Sequence, residues 1–205
     1  MSAFLGPIHY WLYHKIQLQQ AIVDEIYILG EKNGLSLEEE CDNRFGTFEN
    51  KPLEEMIDHG NIHGWLQDRV SQVEYKYAYS VTKLLNKNPE SMDTLKTVLK
   101  NNGIKVAITM KDNELKATDV FKAISDHLLD GMPCDHANRV LNQSDSEVLW
   151  VRSVCVHSSY WEEVDGDISV YYDLRDAWLE GLVRELGFVL EKPDTNTYCI
   201  KASHQ

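Results

Sequence analysis

Apolar residues recur every three to four positions along two long stretches of this chain. The first stretch covers residues 5–29, and the second covers residues 62–84. This spacing places the apolar side chains on one face of a helix, and such a face must be buried against a partner. It predicts one helix over residues 4–32 and a second that begins near Pro52, and we expect the two to pack together.

The period of the apolar residues changes from about four to two after Gly103. Apolar and other residues alternate over 104–110, which is typical of a strand. Residues 147–157 are rich in β-branched and aromatic side chains and predict a second strand. The short apolar runs 188–190 and 198–200 flank a turn sequence and predict a C-terminal hairpin.

Shorter helices are predicted around these strands. Ser36 followed by Glu39 is typical of a helix start, and the turn-rich residues 43–52 then predict a loop. The helical spacing also predicts three further helices, over residues 90–99, 118–129 and 172–186.

Helices followed by strands around a helix indicate an α+β fold rather than a regular βαβ series. We expect an N-terminal helical assembly packed with a small antiparallel sheet and a C-terminal helix. The helical region spans residues 1–103 and the mixed α+β region spans residues 104–205, and we expect one compact domain overall.

The acidic composition argues against some partners. The 205 residues include 20 Lys and Arg against 33 Asp and Glu, which gives a formal charge of -13. Such a surface repels phosphates, so we expect neither nucleic acid nor membrane as a partner. No apolar run has the length of a spanning helix and the first residues lack a secretory pattern, so we expect a cytoplasmic protein. The sequence leaves a homo-oligomer open.

Two motifs of the form Cys-x-His stand about twenty residues apart, Cys134 with His136 and Cys155 with His157. Thiolate and imidazole are preferred ligands of Zn²⁺, and four of them complete a tetrahedral shell. Alternate residues of a strand share a face, so Cys155 and His157 are expected side by side on the predicted strand. The Cys134 motif follows Met-Pro and is expected on a loop able to reach them. The sequence therefore predicts a divalent metal site, with zinc as the expected ion.

A metal site with only three protein ligands would leave a position for water. The metal would then lower the pKa of that water and supply hydroxide, with Asp135, Glu162 or Glu163 as the proton carrier. The leading hypothesis is a metal-dependent enzyme of hydrolytic type that acts on a small molecule in a Cys/His-lined pocket.

Two other functions use the same residues. Four ligands would make a structural site in a noncatalytic, sensor-like module that binds a small molecule or metal. In a thiol-dependent hydrolase or transferase, Cys134 would be the nucleophile, activated by His157 and oriented by Asp135 or Asp130. Alternatively, these cysteines and histidines are ordinary buried or hydrogen-bonded residues.

A second metal hypothesis rests on Glu55, His59 and His63, which are four residues apart and would share one face of the second predicted helix. His9 on the first helix could join that site. The alternative is that this segment is a break between two helices and that its histidines are exposed. Gly60 and Gly64 support this alternative, because glycine is unfavourable inside a helix.

Overall fold

The structure is a computed structural model that describes residues 4–111 and 114–203. The fold is α+β, 62% helical with a four-stranded antiparallel sheet, as the sequence predicts. The described helices are α1 (Pro7–Lys32), α2 (Leu37–Phe45), α3 (Leu53–Met56), α4 (Ile62–Lys87), α5 (Ser91–Met110), α6 (Ala117–His127), α7 (Ser158–Glu162) and α8 (Ile168–Glu185). The strands are β1 (Asn138–Gln143), β2 (Glu147–Arg152), β3 (Phe188–Glu191) and β4 (Thr197–Ala202).

Contacts divide the described chain into two compact units. Unit 1 contains residues 4–91, 131–134 and 157–168. Unit 2 contains the described residues of 92–130, 135–156 and 169–203. Within the described part of the chain, no helix combines the length and apolar character needed to cross a membrane.

Unit 1 is built on the pairing of α1 with α4, the two long helices that the apolar spacing predicts. Ile16, Val23 and Ile26 of α1 are fully buried, as are Val73 and Val81 of α4. Each such side chain stabilises the fold by about 1.5–3 kcal/mol relative to an exposed one. Helices α2 and α7 pack against α4 within the same unit.

The predicted start of the second long helix near Pro52 is wrong, because the chain breaks between α3 and α4. The carboxylate of Asp58 accepts a hydrogen bond from the Gly60 N–H at 2.8 Å. Asn61 caps α4 by accepting from the Gly64 N–H at 3.1 Å. These side chains satisfy backbone donors in turn geometry and compete with a continuous helix. The alternative, a break with exposed histidines, is confirmed.

The sheet of unit 2 has the order β1-β2-β4-β3 with all neighbours antiparallel. The C-terminal hairpin of β3 and β4 confirms the prediction. Helix α6 packs on β2 and β4, where the Phe121 ring contacts Trp150 and Trp150 stacks on Tyr198. The edge strand β1 was not predicted, because five of its six residues are exposed and it lacks an apolar pattern.

The strand predicted over 104–110 is wrong, since α5 continues through these residues. Gly103 does not end the helix. A Cβ on Gly103 would lie 2.2 Å from the carbonyl oxygen of Trp178, and a Cβ on Gly181 would lie 2.2 Å from that of Lys100. Glycine therefore lets the backbones of α5 and α8 approach closely. The relevant period is four: Ala107, four residues after Gly103, is fully buried, whereas Ile108 is 58% exposed.

Candidate functional site

The four residues of the Cys-x-His motifs divide between the two units. Cys134 and His157 belong to unit 1, whereas His136 and Cys155 belong to unit 2. Cys134 is exposed and lies in a 3-10 helix, Pro133–Asp135, where the sequence predicts a loop. His136 is also exposed and has a φ of 48°, a left-handed conformation that L residues rarely adopt.

The strand predicted over residues 147–157 is confirmed only for 147–152, because β2 ends at Arg152, and its predicted extension through Cys155 and His157 is wrong. The N–H groups of Ser153 and Val154 both donate to the carbonyl of Ala137, which takes the chain out of the regular ladder. Cys155 and His157 therefore do not lie on one face of a strand. Cys155 is half-buried and accepts a hydrogen bond from the Tyr172 hydroxyl at 3.0 Å.

His157 forms a buried pair with Glu74 of α4. The His157 Nδ1 lies 3.0 Å from Glu74 Oε2, and both side chains are almost fully buried. A carboxylate only accepts, so His157 Nδ1 donates this hydrogen bond. The other carboxylate oxygen, Glu74 Oε1, has no hydrogen-bond partner among the described residues.

The residues of the second metal hypothesis do not share one helix. Glu55 lies in α3, His59 in the turn and His63 in α4, and all three are exposed. The ring centroids of His63 and His9 are 6.1 Å apart. His9 Nδ1 accepts the Gly6 N–H at 2.9 Å, which places the proton of the neutral ring on Nε2.

No group of three or more His, Cys, Asp or Glu side chains converges on a common metal position within residues 4–111 and 114–203. The proposed proton carriers Asp135, Glu162 and Glu163 are exposed. Zinc binding by either set of residues stays a prediction.

A different site emerges in unit 1, in a cavity of about 250 Å³ that we call the α1 pocket. Helix α1 provides one wall, and α2, α4 and the loop after α2 provide the others. The lining residues are Gln17, Gln20, Ala21, Asp24, Tyr27, Glu38, Asp42, Thr47, Phe48, Asn50 and Lys76.

The α1 wall of the pocket follows directly from helical periodicity. Its residues at positions 17, 20, 21, 24 and 27 recur every three to four positions and share one face. This polar stripe lies beside the apolar stripe that packs on α4. The apolar period that predicts α1 does not include these residues, so the sequence prediction does not contain the pocket. The alternation of two stripes on one helix is the pattern that could have revealed the pocket.

A buried lysine, Lys76, lines the α1 pocket. The Lys76 side chain is 1% exposed, and its ammonium Nζ lies 2.6 Å from Oδ1 of Asp42. Removing an ammonium from water costs several kcal/mol unless it has an ionic partner. The carboxylate of Asp42 supplies that partner, and its second oxygen accepts a hydrogen bond from the Thr47 hydroxyl at 3.0 Å.

The loop wall of the pocket is fixed from α4 by Gln72. Its buried side-chain amide donates to the carbonyl oxygens of Phe45 and Gly46, at 3.0 and 2.8 Å. Gly46 has a φ of 83°, which favours glycine. At the rim, Gln17 donates to Asn50 at 2.6 Å. The pocket is therefore held in place by side chains from two helices.

One buried polar atom of the α1 pocket, the amide oxygen Gln20 Oε1, has no hydrogen-bond partner among the described residues. The Tyr27 hydroxyl lies within hydrogen-bonding reach of the Cys41 thiol. The Gln20 and Tyr27 side chains are only 7% and 5% exposed. Burial, and then the neighbouring Cys41 thiol, raise the pKa of Tyr27, so the phenol stays neutral. The thiol itself lies 3.4 Å from the Ser80 hydroxyl.

A groove of about 310 Å³ in unit 2 is larger but differs in chemistry. Its charged groups pair with each other at the surface, Lys96 with Asp173 at 3.1 Å and Lys192 with Asp176 at 2.5 Å. The Tyr198 hydroxyl also donates to Asp176, at 3.1 Å. These polar groups are satisfied by protein partners, so the α1 pocket is the better candidate for a ligand site.

Comparison with known proteins gave no relatives. No family model matches the chain, and neither the curated proteins nor the solved structures contain a significant match.

Proposed function

We propose that this protein binds a small polar molecule in the α1 pocket. The observation that carries the proposal is the buried amide oxygen Gln20 Oε1, which belongs to the pocket lining and has no hydrogen-bond partner among the described residues. Leaving a buried polar group unsatisfied costs about 1–3 kcal/mol. A ligand that donates a hydrogen bond to Gln20 Oε1 would recover that free energy.

The chemistry of the α1 pocket supports binding rather than catalysis. Lys76 donates to Asp42 and is held as a partner of that carboxylate, not as a free amine. The neighbouring Cys41 is fully buried, and burial raises the pKa of its thiol, which disfavours the reactive thiolate. Neither group is arranged as a nucleophile. Small-molecule binding without catalysis is one of the functions that the sequence predicts, and here the α1 pocket provides it in place of the Cys/His residues.

A thermal-shift screen of the full chain tests the proposal. The library consists of polar compounds of metabolite size, sorted into cationic, neutral and anionic groups. A ligand present at one hundred times its Kd stabilises the folded state by about 2.7 kcal/mol. For a chain of this length that corresponds to a rise in Tm of about 5–11 °C.

Matched tryptophan variants of α1 locate the binding. Ala21 is exposed and lines the pocket, so Ala21→Trp should block it and abolish the shift. Ile28 is exposed on the same helix outside the lining, so Ile28→Trp should leave the shift unchanged. A library in which no compound raises Tm, or in which every shift survives Ala21→Trp, contradicts the proposed function.

A further inference from the structure

We infer that the ligand of the α1 pocket is a small organic cation whose ammonium or guanidinium group is held by Asp24, Glu38 and Gln20. This inference rests on the proposed function and adds the chemical class of the ligand. Three features support a cation: the charge of the lining, the orientation of one buried amide and the size of the pocket.

The lining of the pocket carries an excess of negative charge. Its charged residues are Asp24, Glu38, Asp42 and Lys76. Lys76 and Asp42 neutralise each other at 2.6 Å. Asp24 and Glu38 form no ion pair with a Lys or Arg of the described chain, so two carboxylates face the pocket without a counter-charge. This field attracts a cation and repels a carboxylate or phosphate ligand.

The orientation of the Gln20 amide requires a hydrogen-bond donor on the ligand. Its Nε2 donates to Asp24 Oδ1 at 2.7 Å. A carboxylate accepts only, so the amide nitrogen must face Asp24 and the amide oxygen must face away. That oxygen is the buried acceptor without a partner. A cationic N–H group that donates to Gln20 Oε1 satisfies this acceptor, and the nearby carboxylates attract its charge.

The Tyr27 and Phe48 rings complete the environment expected for an organic cation. Both line the pocket, and Tyr27 is 5% exposed. The face of an aromatic ring attracts a cation by about 0.5–2 kcal/mol. The Tyr27 hydroxyl can accept from the same ligand or donate to an oxygen elsewhere on it.

The size of the pocket limits the ligand. An apolar cavity of about 150 Å³ holds one benzene molecule, so a cavity of about 250 Å³ admits about ten non-hydrogen atoms. The lining also does not provide three carboxylates or imidazoles at one point, as a bare metal ion needs, since no such group exists within the described residues. A distributed organic cation fits this arrangement better than a metal ion.

Calorimetric titration of the full chain tests the inference with named probes. Agmatine, putrescine and choline are the cations, glutarate is the anion and myo-inositol is the neutral compound. We expect at least one cation to bind at least ten times more tightly than glutarate or myo-inositol. We also expect its affinity to fall as the salt concentration rises, because the carboxylates of Asp24 and Glu38 are exposed.

Charge-neutralising variants identify the carboxylates that bind the cation. Asp24→Asn and Glu38→Gln should each weaken the binding of the cation by about two- to five-fold, as expected for exposed charge pairs. Their controls are Glu31→Gln on α1 and Glu39→Gln beside Glu38 on α2, which lie outside the lining. Both controls should retain the wild-type affinity.

The outcomes separate this inference from the proposed function. Tighter binding of glutarate or myo-inositol, sensitive to Ala21→Trp, overturns the cation inference and leaves the proposed function standing. Equal weakening by Glu39→Gln and Glu38→Gln also overturns the inference, since it would reflect the overall charge of the protein. Binding of none of the probes, together with a library screen without hits, overturns both.

Discussion

Two substitutions in the buried ion pair of the α1 pocket should have unequal effects on the free energy of unfolding. Asp42→Asn removes the negative charge and leaves the ammonium of Lys76 in place. Lys76→Met removes the positive charge and keeps a side chain of similar length and shape. The two side chains differ in exposure, since Lys76 is 1% exposed and Asp42 is 29% exposed.

The magnitudes follow from that difference in exposure. In Asp42→Asn, the buried ammonium loses its counter-charge and cannot reach water, which costs about 3–5 kcal/mol. For a chain of this size, that loss lowers Tm by about 6–20 °C. In Lys76→Met, the partly exposed carboxylate of Asp42 is rehydrated and methionine fills the space of the lysine stem, so we expect a loss of about 1 kcal/mol or less.

Urea unfolding monitored by circular dichroism measures both losses and their coupling. The double variant Asp42→Asn/Lys76→Met should be more stable than Asp42→Asn alone, because the second substitution removes the uncompensated charge. The reasoning is refuted if Lys76→Met costs as much as Asp42→Asn, or if the double variant shows the sum of the two single losses.

Three further predictions concern other parts of the chain. Gly103→Ala should destabilise the protein by about 1–3 kcal/mol in urea unfolding, because the new Cβ would collide with the backbone of α8. Alanine normally favours a helix over glycine, so a stabilised variant would contradict the close crossing of α5 and α8. The hydrogen bond to Glu163 raises the pKa of Tyr75 to about 12, so the ¹³Cζ resonance of Tyr75 should titrate near that pH. The stability linked to this bond is complete below pH 10 and falls as the pH rises from 10 towards 12. A titration midpoint near 10 that Glu163→Gln leaves unchanged would contradict this prediction. The Cys/His hypothesis predicts about one equivalent of zinc in protein purified without a histidine tag, lost in Cys155→Ser, and metal-free wild-type protein would contradict it.

The sequence predicted the elements whose apolar period is long and regular. Helix α1 and the C-terminal hairpin are where the spacing places them, because their buried faces dominate their local energetics. The prediction failed over residues 104–110, where an alternating pattern coincided with a helix. The physical cause is the crossing of α5 and α8 at Gly103, a tertiary contact that makes glycine favourable within a helix. Local propensity cannot report such a contact.

The candidate site was harder to predict because its residues are ordinary polar side chains far apart in the sequence. Cys and His attract attention through their chemistry, whereas Gln20 and Lys76 become informative only through burial. The Asp24 and Glu38 carboxylates belong to different helices, and only the packing of unit 1 places them on one pocket. The polar stripe of α1 was visible in the sequence, but its partners on α2 and α4 were not.

NMR titration of the full chain shows which residues bind an organic cation. The ¹H–¹⁵N spectrum of the full chain is recorded during titration with agmatine, or with whichever cation binds most tightly. We predict that the largest shifts occur at the backbone amides of residues 17–27, 38–42 and 46–50 and at the side-chain amide of Gln20, which border the α1 pocket. Shifts confined to other residues, such as those of the groove of unit 2, would contradict the claim that the α1 pocket is the ligand site.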